Sequence, residues 1–111
     1  MTFFLSTNLL HRDGFTQLIK ALREQLSKRG LGLAASVSGF RSIIDQGYNF
    51  PAMWNDLDMI NVMTYDYHGF WDGKTGHHSP LYAVGKTDED GGEFEYYNTV
   101  RARYANIEFI M

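Results

Sequence analysis

Residues 58–66 read DMINVMTYD, and this stretch decides the fold. Ile60, Val62 and Thr64 alternate with Asn61, Met63 and Tyr65, the period of two that sends successive side chains to opposite faces of a strand. Upstream, Arg41 to Leu57 predicts a shorter helical segment: Pro51 suits a first turn, and Met53, Trp54 and Leu57 form a narrow apolar stripe. Before that, Leu31 to Phe40, LGLAASVSGF, is a nearly continuous apolar run without helical period. It predicts a strand buried on both faces, as parallel sheets require. Further back, Phe15, Leu18, Ile19, Leu22 and Leu26 share one face of a helix over about residues 13–29. Asp13 is its expected N-cap, and Gly30, just after Lys28 and Arg29, its expected stop. Lys20, Arg23 and Glu24 on the opposite side read as a solvated face. Helix, strand, helix, strand predicts right-handed α/β units around a parallel sheet.

Downstream the character changes. Residues 68–82, HGFWDGKTGHHSPLY, mix glycines, a proline and polar groups with aromatics, so they predict a long loop. Residues 86–95, KTDEDGGEFE, are acidic and Gly-broken, and residues 96–111 have a weak helical period through Tyr97, Val100 and Tyr104. At the other end, MTFFLSTNLLHR lacks a basic n-region, is interrupted by Ser6, Thr7 and Asn8, and has no small-residue cleavage site after it. It is therefore not expected to be a signal peptide.

Composition bounds the possibilities. The chain has 111 residues, 44% hydrophobic and 21% charged, with 17 Phe, Tyr and Trp, enough for one domain with a core. The absence of cysteine excludes disulfide frameworks, thiolate metal sites and cysteine catalysis. No apolar run approaches the ~18 residues of a membrane span. Residues 1–55 carry six basic and three acidic groups and residues 56–111 four and ten, so net −3 is split +3 and −6. Neither half has a clustered Lys/Arg stripe, so no nucleic acid and no membrane partner is expected.

Chemistry is expected at the end of the DMINVMTYD strand, because parallel α/β sheets place their sites at the C-terminal strand ends and the following loops. If Ile60 and Val62 face the helices, Asn61, Met63 and Tyr65 face the other way, where polar groups make more sense lining a pocket than filling a core. Tyr65 as a core tyrosine with a satisfied hydroxyl is the alternative. His68, His77 and His78 with Asp66 make a poor metal set, because adjacent His77 and His78 cannot easily face one ion in extended chain. No metal and no cofactor are expected, and His11 reads as a surface residue.

From Asn61 to Tyr82, NVMTYDYHGFWDGKTGHHSPLY resembles the sixth-strand segment of glycoside hydrolase family 18, the chitinases and chitinase-like lectins. The LAASVSG strand and IIDQGYNFPAMWNDLDMIN resemble the units that precede it, from the fourth helix onward. The resemblance covers residues 13–87, leaving 1–12 as a non-matching segment and 88–111 as an acidic, divergent tail. It implies a partial, incomplete (β/α)8 TIM barrel in which the acetamido oxygen of the substrate attacks the anomeric carbon. By motif position it implies that Tyr65 hydrogen-bonds the N-acetyl group and that Asp66 holds the sugar beside the scissile bond. Met63 would pack beneath that sugar, and Trp71 would stack on the leaving-group side. Tyr67 and Phe70 are expected to serve core or loop packing. The resemblance further implies chitin or chitooligosaccharide as partner, an extracellular setting and no metal.

Two departures matter. The family's general acid closes an Asp-x-x-Asp-x-Asp-x-Glu run, which this chain does not contain, and Asp88 to Asp90 and Glu93 to Glu95 have the wrong spacing and place. General acid catalysis contributes about 10²–10⁴-fold, so the chain alone is expected to be inactive. His78 stands where the family commonly has Asn. The chain therefore reads as a fragment of a chitinase-type glycosidase; the alternatives are an inactive carbohydrate-binding chitinase-like protein or a non-functional truncated product. Two parallel strands with open edges also invite self-association.

Overall fold

The computed structural model describes residues 9–83 and 93–104. The first eight residues of the segment rejected as a signal peptide, the acidic stretch 84–92 and the terminal 105–111 lie outside the described residues.

Helix α1 spans Leu9–Ser27, so it starts before Asp13, which lies inside it rather than capping it. Nothing in Leu9 to Arg12 breaks a helix, and the Thr16 hydroxyl donates back to the Arg12 carbonyl at 3.0 Å. The expected stop is present. Gly30 has φ 65°, its N–H reaches Ser27 O at 3.1 Å, and the Leu31 N–H reaches Leu26 O at 3.1 Å. That is a Schellman closure, which needs the left-handed residue that glycine supplies most easily. Strand β1, Ala34–Ser38, follows. The helical segment expected between the strands is divided: α2 spans Arg41–Gly47 and α3 spans Phe50–Met53, with Pro51 in its first turn and a 3₁₀ turn at Trp54–Asp56 behind it. The Asn49 side chain caps α3 by accepting from the Ala52 N–H at 3.4 Å. Strand β2 is Met59–Met63.

The strands pair in parallel, Ala35 opposite Ile60 and Val37 opposite Val62, as the element order predicts. These four residues face the helices and pack with Phe15, Ile19, Ile44, Tyr48, Phe50 and Met53. Val37, Ile44 and Met53 are at most 1% exposed, and full burial of such side chains contributes about 1.5–3 kcal/mol each. The expected burial of β1 on both faces is not what the structure has: Ala34 is exposed and Ser36 half-buried. Asn61 and Met59 are likewise exposed on β2. Helix α1 also differs from its expected stripe, since Leu18 and Leu22 are exposed while Phe15 and Ile19 are buried.

Arg23 is not part of a solvated face. Its guanidinium donates to Asp56 O at 2.7 Å and to Asp58 Oδ2 at 2.6 Å, and the Leu33 N–H donates to the same carboxylate oxygen at 2.6 Å. Helix α1 is thereby clasped to the starts of both strands, and the Arg23 hydrogen bond holds the Asp58 carboxyl below its usual range.

Candidate functional site

Met63 ends β2, and the next four residues turn the chain in two directions. Tyr65 is 47% exposed in this chain, and Asp66 beside it is exposed with φ 60°. Tyr67 is fully buried and His68 is 7% exposed. The chain thus presents Tyr65 and Asp66 outward and anchors them with the next two residues.

The anchor is aromatic. Tyr67 meets Phe40 edge-on at 5.4 Å between ring centroids and stacks on Tyr97 at 5.8 Å. His68 stacks on Phe94 at 5.7 Å, and Phe94 meets Tyr97 at 5.3 Å. Such geometries contribute about 0.5–1.5 kcal/mol per pair beyond burial. The Tyr67 hydroxyl donates to Gly39 O at 3.2 Å, and burial pushes its pKa up to about 12. Phe94 belongs to a 3₁₀ turn, Glu93–Tyr96, which leads into helix α4, Thr99–Tyr104. Of the helix expected over residues 96–111, α4 is therefore the part seen, and it starts later.

The expected long loop contains one ordered turn. Phe70–Asp72 form a 3₁₀ turn, closed by Asp72 Oδ2, which accepts from the Gly69 N–H at 3.1 Å and lies 3.0 Å from His68 Nδ1. The His68 and Asp72 side chains are almost wholly buried, at 3% and 6% exposure. That pair holds Trp71 out in solvent at 59% exposure, with its indole lying over Gly69, where a Cβ would overlap the ring. Phe70 is 95% exposed, which overturns its expected packing role; it touches Trp71 edge-on at 5.4 Å instead. A three-residue turn anchored through Asp72 has no inward position to give it.

The return of the loop lies against the strand end. The Ser79 hydroxyl donates to Thr64 O, and the Tyr67 N–H donates to His78 O at 3.1 Å. His78 lies beside Asp66, with Nδ1 3.2 Å from Oδ1, and stacks on Tyr65 at 6.2 Å and 28° between ring planes. His68 and His78 thus have separate carboxylate partners, Asp72 and Asp66. Four residues here matter more than the sequence reading allowed: His68, Asp72, His78 and Tyr97. The spacing of four between His68 and Asp72, which brings side chains together over a helical turn, was the available signal for that pair.

The family model for glycosyl hydrolases family 18 matches residues 7–108, a wider span than the 13–87 of the sequence resemblance. This chain belongs to glycosyl hydrolases family 18. Among its relatives, "Probable chitinase 10" of Drosophila melanogaster is 49% identical over 87 residues, which are 78% of this chain and 4% of that protein. A mutant of catalytic domain 2 of the Ostrinia furnacalis group II chitinase, solved in complex with the chitooligosaccharide (NAG)5, is 40% identical. It superposes with a TM-score of 0.76 over 90% of this chain and 25% of that one. Human YKL-39, described as a pseudo-chitinase with retained chitooligosaccharide binding properties, is 33% identical with a TM-score of 0.81 over 94% of this chain and 30% of its own. The family 18 chain described here therefore spans a small part of these relatives, and its α/β units form a partial (β/α)8 barrel.

Proposed function

We propose that this chain supplies one wall of a chitin-cleaving cleft, in the endo-hydrolysis of β-1,4-linked N-acetylglucosamine polymers by the substrate-assisted retaining route. The observation that supports this best is the outward presentation of Tyr65, Asp66 and Trp71 on the loop leaving a parallel strand, braced from behind by buried Tyr67 and His68. In this reading the Tyr65 hydroxyl donates to the N-acetyl carbonyl oxygen that attacks the anomeric carbon. Asp66 holds the sugar beside the scissile bond, Met63 packs beneath the same sugar, and Trp71 stacks on the leaving-side pyranose, whose C–H face suits an indole. No cofactor and no metal enters the scheme.

The proton donor is absent from the 111 residues, which contain no Asp-x-x-Asp-x-Asp-x-Glu run. The chain by itself accordingly binds chitooligosaccharide without cleaving it. A fluorogenic chitooligosaccharide assay tests this: release stays at the blank, and turnover that disappears in Asp66→Ala overturns it.

A second reading, a chitinase-like carbohydrate-binding protein, draws support from the likeness to YKL-39. Retention of the chain on chitin beads, abolished by Trp71→Ala, supports the sugar platform that both readings share. Under either reading the chain acts where chitin is met, outside the cell. Among the described residues β1 and β2 pair only with each other, and self-association through their outer edges is tested by concentration-dependent sedimentation.

A further inference from the structure

We propose that His78 is a positioning residue for the sugar site, fixing the backbone of Asp66 and the ring of Tyr65 together. The inference rests on the reading of Tyr65 and Asp66 as sugar-binding residues. Asp66 is the one non-glycine residue with positive φ among the described residues. Residues with a Cβ visit that conformation sparsely and keep it where the surroundings hold it.

His78 supplies that hold. The Asp66 N–H donates to His78 Nδ1 at 3.3 Å, and the following N–H, of Tyr67, donates to His78 O at 3.1 Å. Two consecutive amides around the left-handed residue are thus taken by one residue. The imidazole plane also lies along the Tyr65 ring. The same Nδ1 is 3.2 Å from Asp66 Oδ1. One nitrogen cannot accept from the amide and donate to the carboxylate at once, and either bond goes to Asp66.

Core packing does not account for the imidazole. The His78 side chain is 63% exposed and that of Asp66 65%, and a polar contact so open to water adds little stability. What the contact does is orient two residues that stand in solvent. Its backbone is itself anchored: the Thr99 N–H donates to Pro80 O at 2.9 Å and the Val100 N–H to Leu81 O at 3.1 Å, tying the segment after His78 to α4. An asparagine at this position could accept from the Asp66 amide but has no ring to lay on Tyr65. The ring contact is what histidine adds here.

The test uses the 111-residue chain with three substitutions, His78→Asn, His78→Phe and His78→Ala. Two readouts are taken: calorimetric binding of N-acetylchitopentaose, and the Asp66 amide and Tyr65 ring signals by NMR without sugar. The expectation for His78→Ala is binding about tenfold weaker, with both signals displaced. His78→Asn restores the Asp66 amide but not the Tyr65 ring; His78→Phe does the reverse. Wild-type affinity with unmoved signals in all three variants overturns the proposal. Failure of the wild-type chain to bind the pentasaccharide sinks the sugar-site reading separately. The NMR signals then decide on His78 alone, and the proposal falls if His78→Ala leaves them in place.

Discussion

The Tyr67 hydroxyl donates to the Gly39 carbonyl oxygen at 3.2 Å, joining the chain after β1 to the chain after β2 at the C-terminal edge of the sheet. A Cβ on Gly39 would stand 2.5 Å from both Met63 O and Tyr67 Oη, so glycine is what lets the two strand ends approach this closely. Tyr65 and Asp66 leave the sheet between these contacts, and their direction depends on them.

Tyr67→Phe removes the donor and leaves a buried carbonyl unpaired, at a cost of about 1–3 kcal/mol. The pH dependence has a definite sign. The folded-state pKa, about 12, is above the ordinary 10.0, so the contribution is whole below about pH 10 and is lost as pH rises toward the folded value. Denaturant melts at alkaline pH should show this loss in the wild-type chain and not in Tyr67→Phe. Equal alkaline limbs would mean the phenol is not held as described.

Asp58 behaves in the opposite sense. Its carboxyl is lowered by the hydrogen bond from Arg23 and then by that from the Leu33 N–H. The stabilisation is present above the ordinary carboxylate range and is lost as pH falls through the depressed folded value. Asp58→Asn is expected to lower Tm at neutral pH and to flatten the acid limb of a Tm-against-pH series. An acid limb as steep as the wild type's contradicts the clasp.

Gly69→Ala acts on the turn that carries Trp71. The added methyl overlaps the indole, so the ring must leave its place over residue 69. The expected result is a shift in tryptophan emission and about tenfold weaker retention by chitooligosaccharide, with the melting temperature nearly kept, because Trp71 is largely exposed. Unchanged emission and binding would show that the indole does not need that seat.

Much of the fold was legible because its signals are local. Ile60 and Val62 announce their face through alternation alone, and Gly30 announces the end of α1. The start of α1 was misjudged because an aspartate that can cap a helix was given more weight than four preceding residues that continue one. Exposure was harder to read. Leu18 and Leu22 lie on the apolar side of α1, yet whether they are covered depends on what sits beside the helix. Tyr65, Asp66, Met63 and Trp71 are the residues that the motif alone proposes for a site, whereas His78 gave no local sign of its contact with Asp66, twelve residues earlier in the chain.

The amino-acid order by itself determined the strands, the helices between them and the family motif, because periodicity and turn chemistry act over a few residues. Only the tertiary structure decided which rings brace the site and which face water. Phe40, Tyr67 and Tyr97 are far apart in the chain and close into one cluster, while Phe70, a residue of the same chemical kind, is left almost bare. Burial is a property of what packs against a side chain, and apolar character alone does not specify the neighbour.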